Sequence, residues 1–251
     1  MLATLILAAA MTTHVSIEAP KSCSAVSAAH QTALVELYTS QGCSSCPPAD
    51  RWLSQLEQRY TRTQVVPIAL HVSYWDYIGW KDPYARTEFN LRQRELAAAN
   101  GSRTVYTPGV FLQGLELPDW PKSARFDAAV RTIVDTPAEA RITLKARIAG
   151  NTVTVEPSAV AFRSTRDPRL VLALVESGLS VAVQSGENRG ETLRNDRVVR
   201  AWSGPLALTP APLQWTLPMS SERRYAVVAF VQESAPNGRL LQALDLPLND
   251  C

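Results

Sequence analysis

Cys43 and Cys46 are separated by two residues in the run Gly42-Cys43-Ser44-Ser45-Cys46-Pro47-Pro48. A pair so spaced can exchange with other thiols and disulfides, form a structural disulfide, or supply half of a metal site. Its flanks favour exchange. Ala33-Leu34-Val35-Glu36-Leu37-Tyr38 reads as a buried strand, and Ala49, Trp52, Leu53, Leu56 and Tyr60 recur on one helical face. On a strand-to-helix turn the first sulfur sits at the positive end of the helix, where the dipole and unpaired N–H groups stabilise a thiolate. The second lies about one turn on, within reach of a mixed disulfide. Pro47 suits a first helical turn, where its missing N–H costs nothing. Cys43 is therefore expected to be the exposed nucleophile and Cys46 the resolving thiol.

The metal reading has less to work with. A tetrahedral zinc site needs about four ligands, and only Cys23, Cys251, His14, His30 and His71 remain to complete one, with no second close pair. No metal and no cofactor is expected. Two alternatives stay open for a binding or scaffold protein: a structural Cys43–Cys46 staple, or a Cu(I) site, which soft thiolates suit, with His71 as third ligand.

Other side chains could support exchange. His71 could pass a proton near neutral pH, or be a structural histidine. Asp76 could accept a proton, or cap a turn. Tyr74, Trp75, Tyr77 and Trp80 could wall a substrate groove, or pack under a long loop. Asn188-Arg189-Gly190 reads either as a hairpin tip or as a segment reaching back to the cysteines. Thr107-Pro108 precedes a strand where a cis bond is expected, although cis forms are only about 5–6% of X–Pro bonds.

Composition narrows the partners. With 46% hydrophobic residues, 19% charged and a net charge of +2, the chain is ordinary and globular. No cluster of Lys and Arg argues for nucleic acid or an anionic membrane; protein or small-molecule thiols are the expected partners. Leu2 to Met11 is an uncharged apolar run, too short to span a membrane and suited to the core of a secretory signal. Residues 1–29 are read as a signal peptide and N-terminal segment, with cleavage after Ala10 or between Ala25 and Ala29. The product would be periplasmic or secreted, without a membrane span, in a compartment where disulfides persist. There Cys23 and Cys251 could pair, unless cleavage after Ala29 removes Cys23.

The elements that must position the pair follow in order. Val65 to Val72 reads as a strand, Tyr84 to about Ala99 as a helix stopped by Asn100-Gly101, Tyr106 to Leu117 as two short strands, and Ser123 to about Val134 as a helix. This β-α-β-α-β-β-α order is that of a thioredoxin-like fold. After Thr136-Pro137 strand signals dominate: a hairpin over 141–149 and 152–155, then 170–175, 198–202, 213–217, 225–231 and 240–246. The expectation is an α/β thioredoxin-like domain (30–135) followed by a smaller all-β, sandwich-like domain (136–251).

Several long motifs resemble a bacterial family known as DUF1223. They are Val35 through Asp50, His71 through Pro83, Tyr106-Thr107-Pro108, and Gly186 through Leu193 running into Val198-Val199-Arg200. The resemblance implies an exported protein with a thioredoxin-like fold, and it supports fold and site more than a named reaction. Ser73 stands where the family pattern implies an acidic residue, and Asn195 near where it implies a histidine. The sequence thus leans towards an enzyme, an exported thiol–disulfide oxidoreductase with Cys43, Cys46 and Pro108 at its centre and His71, Asp76 and Thr107 in support.

Overall fold

The computed structural model describes residues 20–162, 165–220, 222–234 and 238–251. The apolar run Leu2 to Met11 lies outside them. In chain order the elements are β1 (Lys21–Val26), β2 (Ala33–Thr39), α1 (Pro47–Arg59), β3 (Val65–His71), α2 (Thr87–Ala99), β4 (Gly109–Leu112), β5 (Leu115–Glu116) and α3 (Ser123–Val134). Then come β6 (Ala140–Ala149), β7 (Thr152–Ala161), β8 (Pro168–Ser177), β9 (Leu179–Ala182), β10 (Thr192–Asn195), β11 (Val198–Leu206), β12 (Leu213–Thr216), β13 (Arg224–Glu233) and β14 (Leu240–Pro247).

One eight-stranded sheet, ordered β14-β13-β8-β11-β3-β2-β4-β5, runs through both halves of the chain. Its centre is parallel, β2 beside β3 and β3 beside β11, where Val198 pairs with Ala69. Arg197 reinforces that junction. Its buried guanidinium donates to Pro67 O at 2.9 Å and pairs with Asp245 at 2.9 Å, so one side chain ties β3 to β14. A second sheet, β1-β6-β7-β12, and a two-stranded β9–β10 hairpin complete the strands.

This architecture corrects the expected fold class. The chain is mostly β, with three α-helices among the described residues, and the β-rich half is no separate sandwich. The reason lies in β8 and β13, whose runs Leu170-Val171-Leu172-Ala173-Leu174-Val175 and Tyr225 to Val231 are apolar on both faces. A strand apolar on both faces must be covered on both. Val171, Ala173 and Val175 pack with Phe89 of α2, while Leu170, Leu172 and Leu174 pack with Ile142, Leu144 and Val155 of the second sheet. These strands therefore extend the sheet begun by β2 and β3.

Alternation along β2 and β3 decides what lies beneath the cysteines. Ala33, Val35, Leu37 and Ala69 face α1 and α3, where Trp52, Leu53, Leu56 and Phe126 complete that core. Continuing the same period, Thr39 and His71, paired across the parallel ladder, face α1 at the end of their strands. Cys23 and Cys251 are disulfide-bonded, tying β1 to the segment after β14. No helix among the described residues is long and apolar enough to cross a membrane.

Candidate functional site

Cys43 and Cys46 form a disulfide, their Cα atoms 5.4 Å apart, on the turn between β2 and α1. Cys46 is the residue that caps α1, with Pro47 in its first turn. The turn is closed by Cys43 N–H donating to Ser40 O and Cys46 N–H donating to Cys43 O. Gly42 is needed because space is short: an added Cβ would sit 3.2 Å from Trp75 Cβ and 3.4 Å from Ile78 Cδ1.

Both sulfur-bearing residues are buried, Cys43 at 1% and Cys46 at 0% exposure. The expectation of an exposed Cys43 is therefore corrected, and the cause lies far along the chain. The tip of the β9–β10 hairpin folds over the turn. Asn188 Nδ2 donates to Gln41 O at 2.9 Å and to Cys43 O at 3.0 Å, and Ser44 N–H donates to Glu187 Oε2 at 2.9 Å. Ser185 donates to Gly79 O, and Gly186, at φ +76°, lets the tip settle where a Cβ would meet Trp80 Cβ at 3.1 Å. Asn188-Arg189-Gly190 is thus both a hairpin tip and a segment that reaches the cysteines. Asn195 also closes on the turn, accepting from Gln41 Nε2 at 3.0 Å.

Beneath the turn lies a buried acid–imidazole–acid network. His71 Nδ1 donates to Asp82 Oδ2 at 2.7 Å, and that oxygen also accepts from Gln41 N–H at 2.8 Å. Asp82 Oδ1 accepts from Tyr84 N–H. His71 Nε2 is buried with no hydrogen-bond partner among the described residues. Asp50 approaches from α1, accepting from Thr39 Oγ1 at 3.2 Å. Its N–H donates to Cys46 O at 3.1 Å, and residues four apart share a helix face, so Cys46 and Asp50 lie together on the buried side.

Charges in this network are held out of their ordinary ranges. Burial raises the Asp50 carboxyl to about 6, against the pull of His71 and Thr39. Burial alone would lower His71, but the charge and hydrogen bond of Asp82, with Asp50 adding to them, raise it above its usual value. Burial would raise Asp82, but His71 and the amides of Gln41 and Tyr84 pull it below the usual carboxylate range. The arrangement sets an imidazole of raised basicity near an acid that titrates at about 6.

The remaining sequence-derived residues fall around this centre. Asp76 starts a single 3-10 turn and accepts from Asp82 N–H at 3.3 Å, so it orients the network's acid without touching His71. Trp75 packs on Gly42 and donates Nε1–H to Thr107 Oγ1 at 2.6 Å, linking the cysteine turn to the cis Thr107–Pro108 peptide. Pro108 precedes Gly109, which pairs with Tyr38 at the same end of the sheet as the cysteines. Trp80 donates to Gln41 Oε1, Tyr74 to Gln93 Oε1, and Tyr77, stacked on Trp75, is 82% exposed. The aromatic loop thus packs against the turn and also presents one open ring beside it.

Asp50 and Asp82 were within the motifs read from sequence but were assigned no role. A carboxylate at the fourth residue after Cys46, on an otherwise apolar face, was the available signal for Asp50. Among the described residues no group of three or more His, Cys, Asp or Glu side chains could hold a metal ion.

Comparison with known proteins adds fold and family. No curated protein matches. The crystal structure of protein AGR_C_4864 from Agrobacterium tumefaciens is similar at 24% identity with a TM-score of 0.59, over 85% of this chain and 93% of that one. HBP35 of Porphyromonas gingivalis is similar at 14% identity with a TM-score of 0.61, over 90% of this chain and 77% of that one. Likenesses at these identities speak for the fold. The family model described as "Protein of unknown function (DUF1223)" matches residues 34–232, and the chain belongs to that family.

Proposed function

We propose that this chain is an exported thiol–disulfide oxidoreductase, exchanging electrons with protein or small-molecule thiols through Cys43 and Cys46. The observation that carries the reading is the Cys43–Cys46 disulfide at the start of α1, on a turn joined to buried titratable groups: Gln41 N–H donates to Asp82, the partner of His71, and Asp50 N–H donates to Cys46 O. A structural staple needs no titratable groups beside it. Exchange does, because the buried sulfur must gain or lose a proton each time the disulfide opens or closes.

A substrate thiolate attacks Cys43 Sγ, forming a mixed disulfide and breaking the Cys43–Cys46 bond; Cys46 leaves as a thiolate and takes a proton from the Asp50–His71 pair. A second substrate thiolate then attacks the substrate sulfur of the mixed disulfide and releases Cys43. Two electrons have passed to the pair, and the substrate has become a disulfide. In reverse, Cys43 thiolate attacks a substrate disulfide, and the Cys46 thiol gives its proton to Asp50 as it resolves the intermediate. α1 begins at Pro47 with Cys46 as its N-cap, so the helix dipole acts on Cys46 rather than on the expected Cys43 and favours the Cys46 thiolate as it leaves. Two disulfides support export, since such bonds persist in oxidising compartments.

The burial of both sulfurs favours a second reading, an inert staple in a binding protein. Titration of the pair in glutathione buffers, read by thiol trapping and intact mass, separates the two. A midpoint between about −270 and −120 mV matches known exchange proteins, whereas one below about −300 mV, where structural disulfides sit, overturns the oxidoreductase reading.

A further inference from the structure

We infer that Glu187 and Asn188 form a gate over the disulfide that selects extended polypeptide substrates and excludes small thiols. This rests on the oxidoreductase reading and names its substrate class.

Neither cysteine is more than 1% exposed, so no nucleophile reaches Cys43 Sγ in line until something moves. Sheet strands and α1 are packed in the core, whereas Glu187 is fully exposed at its carboxylate and held by the Ser44 amide. Asn188 beside it is buried and held by two hydrogen bonds, so opening the tip means giving those up; with the strands and α1 fixed in the core, the tip is the part that can leave. Its ladder, Thr192 to Asn195 against Leu179 to Ala182, stays paired while the connecting residues swing.

What the tip offers the turn is the chemistry of a peptide backbone. The Asn188 amide presents N–H to two carbonyl oxygens, Gln41 O and Cys43 O, and Glu187 presents a carbonyl-like oxygen to Ser44 N–H. Opening the tip exposes two main-chain acceptors and one main-chain donor beside the disulfide. An extended polypeptide satisfies all three with its own N–H and C=O groups while delivering a cysteine to Cys43. The open face of Tyr77, stacked on Trp75 against Gly42, lies next to that track and accepts apolar side chains. A small dithiol such as dithiothreitol carries hydroxyls but no chain long enough to meet all three groups while its sulfur reaches Cys43. The charge of Glu187 adds discrimination: held by Ser44 in its ionised form, it repels anionic thiols from the helix terminus.

The test uses the full oxidised chain and its variants Glu187→Ala and Asn188→Asp. Glu187 is on the surface and its loss leaves the fold unaffected. Aspartate at 188 keeps the shape but turns an acceptor towards Gln41 O and Cys43 O. Reduction by neutral tris(3-hydroxypropyl)phosphine is followed by thiol trapping of Cys43 and Cys46. The phosphine takes oxygen from water to become its oxide and gives two electrons to the disulfide, whatever its potential. Each variant should be reduced about tenfold faster than the parent, the effect of losing one or two hydrogen bonds from the closed state. Rates within twofold of the parent for both variants would show that the tip is no gate. In the second arm the parent protein should react faster with a dithiol decapeptide than with dithiothreitol at equal thiolate concentration, and Asn188→Asp should narrow that difference. Faster reaction of the parent with dithiothreitol would overturn the polypeptide assignment. Because phosphine reduction is independent of potential, a midpoint below about −300 mV sinks the oxidoreductase reading without touching the gate measurement.

Discussion

His71 Nδ1 and Asp82 Oδ2 lie 2.7 Å apart with both side chains wholly shut from solvent, and Asp50 bears on the same imidazole from the cysteine helix. The three groups titrate in opposing senses, and the protein's stability should record it. His71, raised in the folded state, stabilises fully below its unfolded value of about 6.5, and the contribution is lost as pH rises through the folded value. Asp82, lowered, stabilises above the ordinary 3.8 and loses that contribution as pH falls through its folded value. Asp50 is raised from 3.8 to about 6, so the fold prefers it protonated, and ionising it between those values costs about 3 kcal/mol. The urea midpoint should be higher at pH 5 than at pH 8, and Asp50→Asn should flatten the profile between pH 4 and 6. A midpoint that climbs from pH 5 to 8 would refute this assignment of charges.

Replacing Asp82 with Asn removes the charge and keeps the shape. His71 then has burial acting on it without its main counterweight, and its pKa should fall. NMR titration of the His71 ring reads that directly. Breaking a buried pair by removing one charge costs about 3–5 kcal/mol, so the urea midpoint should drop as well. An unchanged His71 titration would mean that Asp82 is not its controlling partner.

A second buried pair offers a contrast that involves no cysteine. Glu36 accepts from Arg92 Nε at 2.6 Å and Nη2 at 2.8 Å, and from the Tyr38 hydroxyl at 3.0 Å. Arg92→Ala strands the Glu36 carboxylate in the core and should cost about 3–5 kcal/mol, whereas Glu36→Met with Arg92→Leu should fall near the parent or above it. Chemical denaturation of the three proteins decides the point. Equal losses for single and double variants would argue against a charge-burial cost.

The Cys23–Cys251 bond spans 228 residues. In the chain-entropy model a closed loop of that length stabilises by about 5.5 kcal/mol. Cys23→Ser should lower the denaturation midpoint accordingly while leaving the Cys43–Cys46 midpoint potential within about 10 mV, about half a kcal/mol. A shifted potential would show that the two disulfides are coupled.

Much of the site was legible because it is local. The Cys turn, the helix after it and the Thr107-Pro108 step sit within short stretches whose period and breakers can be read directly. Partners brought from afar were legible only in part: Asn188-Arg189-Gly190 could be read as reaching back to the cysteines, but not as burying them. Cys43 looked exposed because the tip that covers it is distant: Glu187 lies 143 residues beyond Ser44, whose N–H it accepts. Asp76 drew attention as the acid in the aromatic loop, yet Asp82 makes the contact, since only the folded loop shows which carboxylate turns inward. The fold class differs at β8 and β13: their unbroken apolar runs mean burial on both faces, not the one-sided burial of a strand in a separate sandwich-like domain.

The central position of β3 also bears on how the chain reaches this state. Val198 must find Ala69, and Lys21 must find Ile148, before either sheet is closed. Pairings so distant in sequence carry a loop-closure penalty ahead of any reward, which makes such topologies slow to fold. Until β11 docks, the apolar strands β3 and β8 each present a bare edge, the kind of template on which chains aggregate. The finished sheet conceals both edges, and a newly made chain must survive that interval by its own speed or in the care of a chaperone.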